Sequence, residues 1–431
     1  MKNSNFTFKN FLSLKDLKQG TLYFISTNIN FFFQLLFIPI FLNYLGAEKY
    51  GLWVLIISIS SFCRIFFSGL NHSAVKFLSF TKNEFIKKSY CSNILSLYFI
   101  SFATFVFFYC IAIILNNIFP LIDKIGLVKI DLLLLGILFL FFKVTEEIIL
   151  SICIGYGNVL FSTILSVFSK TMIFIVQIML LVGQQEIYEI FLGSCITNFI
   201  TTLILFYLIN KKIGIFETYN LFILYNKNKI LEIINYIKGI IISNISIIIN
   251  QNIDKILVSK LVGLEILAFY NISFMIFNII HSFFGSFFYF LLPKLSIIKI
   301  HKNNFNNIFY KLQFNVIFIG FFGILLIYLL DDIILKLWLA NNFNLELSIY
   351  INYFLVVNFL ILPSITVYYF TLSKKNTKIH AIVSLLNLVI SILLMLILSY
   401  YLSVIGIIIS KVSILFASIV GMIYLKRTYK N

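Results

Sequence analysis

Apolar residues fill runs of about twenty positions along nearly the whole chain, and short polar stretches interrupt them at intervals. Wound as helices, runs of roughly 20 residues match a bilayer core of about 30 Å. Alternating strand patterns are not seen, so helices rather than a barrel satisfy the backbone in lipid. The pattern predicts twelve spans, roughly 21–45, 51–71, 91–119, 132–154, 160–182, 187–210, 233–253, 265–291, 312–338, 348–372, 380–401 and 402–425. The longest inner connection, Lys211 to Glu232, falls near the middle of the chain. The expected fold is therefore an all-α membrane protein of about twelve transmembrane helices in two parallel-repeat six-helix lobes around a central cavity. The lobes are expected at residues 1–215 and 216–431.

Composition agrees, since 61% of the 431 residues are hydrophobic, 11% are charged and mean hydropathy is +1.02. Such values lie far from those of soluble globular domains. The net charge of +17 changes the picture only through its placement. Nucleic-acid binding needs basic residues gathered on a folded soluble face, whereas here they lie scattered between apolar runs. Alternate connections hold most of them: Lys2 to Lys18, Lys76 to Lys88, Lys211 to Lys229, Lys294 to Lys311, Lys374 to Lys378 and Lys426 to Lys430. The opposite side holds Lys49, Lys124, Lys129, Lys255 and Lys260. The positive-inside rule then predicts that both termini are cytoplasmic. Met1 to Gly20 shows no small-residue cleavage site, so the first span is expected to act as an uncleaved insertion signal. The five cysteines, Cys63, Cys91, Cys110, Cys153 and Cys195, are isolated, and neither a metal nor a cofactor is expected.

The stretch PIFLNYLGAEKYGLW (residues 39–53) is a polar hinge between the first two spans. A shift of 217 positions sets it on VGLEILAFY, so that Gly46, Glu48, Gly51 and Trp53 fall on Gly263, Glu265, Ala268 and Tyr270. Both copies read G-x-E-x-x-[GA]-x-[WY]. The same shift places Gln34 on Gln251, Ser26 on Ser243 and Arg64 on His281. Copies with an even number of spans share one orientation, as in transporters whose lobes are related by an axis along the membrane normal and work by alternating access. Locally, Gly46 and Gly51 permit a sharp reversal, while Tyr50 and Trp53 suit a headgroup belt.

Five basic residues, Arg64, Lys143, Lys170, Lys238 and Lys411, fall well inside predicted spans. A cation at the bilayer centre costs about 2.5 to 3.5 kcal/mol even on insertion scales, which points to an aqueous cavity or a bound anion. Lys143 precedes Glu146 and Glu147 by three and four residues, which favours an internal ion pair at least as much as a substrate role. Lys238 is close enough to the inner surface to snorkel. Lys170 shares a polar helix face with Thr163, Ser166 and Gln177. Arg64 has no acidic residue within four positions, and its pairing with His281 across the repeat suits a phosphate-bearing substrate. His281, Lys411 and Lys143 join Arg64 and Lys170 as candidate cations of the cavity. Polar stripes through Tyr23, Thr27, Asn30 and Gln34, and through Ser243, Ser246, Asn250 and Asp254, with Gln251 alongside, either hydrogen-bond sugar hydroxyls or tie helix to helix. Asp254, Glu146 and Glu147 are candidate ion-coupling carboxylates.

PIFLNYLGAEKYGLWVLIISIS followed by GLNHSAVKF, and the later INQNIDKILVSKLVGLEILAFYNIS, resemble the lobe signatures of the polysaccharide-biosynthesis flippases. These are the O-antigen and capsule translocases of the multidrug/oligosaccharidyl-lipid/polysaccharide exporter superfamily. The resemblance implies a non-enzymatic protein of the bacterial inner membrane that moves an undecaprenyl-pyrophosphate-linked oligosaccharide to the outer leaflet. It also implies a cationic cavity, into which Arg64 and Lys170 fit, and a chain that functions as a monomer among membrane lipids. A polysaccharide polymerase or chain-length machinery is the expected protein partner. Related lipid flippases often place a basic residue on the first helix, and this chain has none from Gln19 to Glu48. A multidrug antiporter of the same superfamily exports organic cations and is expected to favour acidic cavity residues. A peptidoglycan-precursor flippase usually has two further spans. A membrane polymerase would need a large outer loop, and none is present.

Overall fold

The computed structural model describes residues 14–81, 83–118, 129–214, 226–297, 302–373 and 377–428. Twelve α-helices and two short 3₁₀ segments make up these residues. The first half holds α1 (Leu14–Ser60), α2 (Leu70–Phe80), α3 (Glu84–Ile118), α4 (Ile130–Gly155), α5 (Val159–Val182) and α6 (Ile187–Ile213). The second holds α7 (Lys227–Val262), α8 (Leu264–Ile297), α9 (Lys302–Leu339), α10 (Leu345–Ser373), α11 (Thr377–Ser410) and α12 (Ser413–Thr428). Nine segments among the described residues are long and apolar enough to cross a membrane. The protein is an all-α, multi-pass membrane protein with two six-helix lobes. The expected boundary at 215 and 216 lies outside the described residues.

Where one helix holds two spans, the joint is a residue out of helical geometry. Within α1 it is Gly46, at φ 81° and ψ 171°, and within α11 it is Ser403, at φ 51°. The repeat is visible in the backbone itself. Gly263, the counterpart of Gly46, sits between α7 and α8 at φ 99° and ψ −179°. That corner of conformational space is essentially reserved for glycine, so both corners need the residue they share.

The two corners also meet. A side chain at Gly51 would overlap the backbone carbonyl of Leu264, so Gly51 serves close approach of the lobes rather than the reversal. Asn271 donates to the Tyr50 hydroxyl at 3.2 Å, and Trp53 stacks on Phe191 with centroids 3.9 Å apart. Tyr50 is only 5% exposed. Tyr50 thus packs inside protein at the seam between the lobes, while Trp53 stays half-buried against Phe191.

A second tie crosses the seam at Pro39. Proline has no N–H and leaves the carbonyl four residues earlier without its helical partner. That carbonyl belongs to Leu35, and the Trp338 indole of α9 donates to it at 2.7 Å. Toward the other end of the bundle, Lys76 of α2 lies 3.5 Å above the Tyr236 ring of α7. Nearby, the Tyr90 hydroxyl donates to Glu232 at 2.7 Å.

Candidate substrate-binding site

Beyond the corner the two repeats diverge. Ser61–Phe67 forms a 3₁₀ segment, followed by Gly69 in left-handed geometry at φ 87°, whereas the matching stretch of α8 stays α-helical. A 3₁₀ helix turns about 20° more per residue than an α-helix, so Arg64, fourth in the segment, is rotated roughly 80° from its repeat position.

Its guanidinium meets Glu147 of α4, with one Nη at 2.8 and 2.7 Å from the two carboxylate oxygens. Asn71 completes the contact to Glu147 at 3.5 Å. The adjacent residue of α4, Glu146, accepts from the Ser169 hydroxyl of α5 at 2.8 Å, and Ser169 reaches Thr201 of α6 at 3.3 Å. Lys143 and Lys170 lie within electrostatic reach of both carboxylates. The cluster thus joins three cations to two carboxylates and keeps an excess positive charge. The Arg64 and Glu147 side chains are 38% and 31% exposed, which opens the cluster to a small ligand.

The second lobe builds a different arrangement. Asp254 is fully buried on α7, and Lys411, in the turn between α11 and α12, meets it at 2.7 Å. The Tyr270 hydroxyl donates to the same carboxylate at 2.7 Å, and Lys411 also donates to the Asn250 carbonyl at 2.9 Å. This network forms the floor of a cavity of about 520 Å³ lined by α7, α8, α10, α11 and α12. Asn250, Gln251, His281 and Lys411 line it together with Asn278, His380, Tyr368 and Tyr369.

Arg64, with no acidic residue within four positions of it, was expected to face His281 across one cavity. It is paired with Glu147, 83 positions away, and it does not line the cavity that His281 lines. The altered helical pitch accounts for the difference. Lys143 lies within electrostatic reach of Glu146 and Glu147, as its spacing suggested, and Arg64 engages Glu147 as well. On the polar face of α5, Gln177 donates to Ser194 at 3.0 Å and ties α5 to α6. On α7, Ser243 bonds Ser384 at 2.9 Å and Asn250 accepts from Ser391 at 2.9 Å, so this stripe binds helix to helix while Asn250 still reaches the cavity. Lys238 is exposed and bonds Asn235 at 3.0 Å. Gln34 is exposed, and the Asn30 side chain lies outside the described residues. Tyr270 stood out only as the hinge counterpart of Trp53 and not as a partner of Asp254, and His380, Tyr368 and Tyr369 were missed, since they fall neither in the hinge repeat nor among the charges.

Two lobes of long apolar helices, a cationic cluster and a polar cavity define a polytopic membrane protein. Solved structures share the fold. The inward-facing conformation of a multidrug resistance MATE family transporter of the MOP superfamily matches at TM-score 0.65 and 13% identity, covering 95% of this chain and 94% of that one. The lipid II flippase MurJ in its inward closed conformation matches at TM-score 0.66 and 18% identity, covering 94% and 87%. An outward-facing MATE transporter gives TM-score 0.63 at 14% identity, covering 96% and 95%. Among curated proteins none matches. Residues 17–299 match the model of the polysaccharide biosynthesis protein family, and the chain belongs to that family.

Proposed function

We propose that the protein is a flippase that carries an undecaprenyl-pyrophosphate-linked oligosaccharide from the cytoplasmic to the outer leaflet of a bacterial inner membrane, with both termini cytoplasmic. The observation that carries this reading is the first-lobe cluster, in which Arg64, Lys143 and Lys170 outnumber Glu146 and Glu147. Guanidinium and ammonium groups at membrane depth suit a diphosphate, with Arg64 supplying the planar fork. An exported organic cation would meet like charge there, which disfavours the antiporter reading. Outward movement of a dianion is favoured by about 2.3 kcal/mol per charge per 100 mV of inside-negative potential. The surface polysaccharide is O-antigen or capsule, and the chain works as a monomer that hands its product to a polymerase or chain-length complex.

Arg64→Ala and Lys170→Ala are expected each to impair surface polysaccharide while leaving protein levels intact. The exchange Arg64→Glu with Glu147→Arg keeps the ion pair, so protein levels hold, yet moves the fork onto α4 and lowers export. Normal surface polysaccharide in all three variants would remove the cationic cluster from the transport path.

A further inference from the structure

The second-lobe cavity has a chemistry unlike that of the first-lobe cluster. Among its described lining residues no carboxylate appears, and its one ammonium, on Lys411, is already neutralised by Asp254 beneath the floor at 2.7 Å. It therefore offers little to an ion of either sign. Its walls instead alternate flat rings with groups that both donate and accept: Phe277, Tyr368 and Tyr369 beside Asn278, Ser364 and Asn387. Two polar atoms in it are buried without a partner, His281 Nδ1 and His380 Nε2. Buried groups of this kind are normally satisfied, and a ligand hydroxyl satisfies either ring nitrogen, because a hydroxyl both donates and accepts. The volume of about 520 Å³ falls within the ~300 to 1,000 Å³ of small-molecule sites.

We infer that this cavity is a neutral-carbohydrate subsite, which seats sugar rings of the head group against the aromatic walls and binds their hydroxyls to His281 and His380. The inference rests on the flippase reading above and adds a division of labour: charge is handled by the first lobe, sugar by the second. Lys411 contributes by holding Asn250 and the floor in place, and makes no direct claim on the ligand's charge.

The test uses the full chain in detergent with Cys110, the exposed native cysteine, replaced by alanine. A reporter cysteine is placed at Ser384 in the cavity or at Asn71 beside Glu147, and labelling by a maleimide is timed. The probes are undecaprenyl pyrophosphate bearing a neutral disaccharide and bare undecaprenyl pyrophosphate. The glycosylated lipid is expected to slow labelling at both positions, and the bare lipid to slow it at Asn71→Cys alone. His281→Gln combined with His380→Gln is expected to weaken the glycosylated lipid roughly tenfold and to leave the bare lipid unchanged. Protection at Asn71→Cys without protection at Ser384→Cys overturns the subsite and leaves the flippase reading standing, as does equal protection of Ser384→Cys by both lipids. No protection at either position by either lipid overturns both.

Discussion

Removing the Asp254 carboxylate is expected to be among the most damaging single changes in the protein. Lys411 is 8% exposed and Asp254 is not exposed at all, with 2.7 Å between them. In Asp254→Ala the ammonium keeps the Asn250 carbonyl, at 2.9 Å, and the Phe274 ring face, 5.2 Å to its centroid, but no counter-charge, and Tyr270 loses its acceptor. Breaking a buried pair from one side costs about 3 to 5 kcal/mol, whereas replacing both partners by apolar residues of similar size is often close to neutral. Asp254→Leu with Lys411→Met is therefore expected to recover most of what Asp254→Ala loses. At about 1.4 kcal/mol per tenfold change, the single variant shifts the folded-to-unfolded ratio by roughly 150- to 4,000-fold. Unfolding by SDS in mixed micelles, followed by far-UV circular dichroism for both variants and each single change, gives the coupling directly. Asp254→Ala as stable as the double variant would mean that water reaches Lys411, and the sealed floor of the cavity would be refuted.

Gly46→Ala and Gly263→Ala place a methyl group in open space, since nothing lies within 4 Å of either position. Each is nonetheless expected to cost about 1 to 3 kcal/mol through backbone conformation alone, measured by the same unfolding assay; neutral behaviour at both would undo the case for matched corners. Trp338→Phe removes the donor to the Leu35 carbonyl and is expected to cost about 1 kcal/mol, within the range for polar bonds between membrane helices. A loss no larger than that of an exposed aromatic such as Tyr400 would remove the bond from the account.

The spans and their corners were legible because both leave periodic or repeated marks. Apolar runs set the helices, and Gly46 and Gly263 announce themselves through a shared pattern whose backbone demand is the same. The split between the last two spans, expected after residue 401, falls at Ser403. Ion pairing was not legible in the same way. Arg64 and Glu147 are 83 positions apart, and Asp254 meets Lys411 from the far end of its lobe, so no local spacing records either contact. Lys143 and Glu147 carried the right spacing and do lie within electrostatic reach, but nothing local announced the Arg64 guanidinium that shares the carboxylate. The 3₁₀ segment was equally silent: SFCRIFF and the matching NIIHSFF are both compatible with an α-helix, and the tighter winding comes with packing against α4 and α7. The cavity itself depends on five helices converging, which no single stretch encodes.

The corner where Gly51 abuts Leu264 acts as the short arm of a lever. From that point α8 runs 34 residues, about 50 Å at 1.5 Å per residue. A tilt of roughly 10° at the corner, absorbed by a few atoms of backbone clearance, would sweep the far end of the helix through about 9 Å. On α7, Tyr236 lies 26 residues from Val262 at the same corner, about 39 Å away, so a like tilt would move it by roughly 7 Å, more than the 3.5 Å separating it from Lys76. A tilt pivoting at this seam would thus be geared up into a far larger displacement at the opposite end.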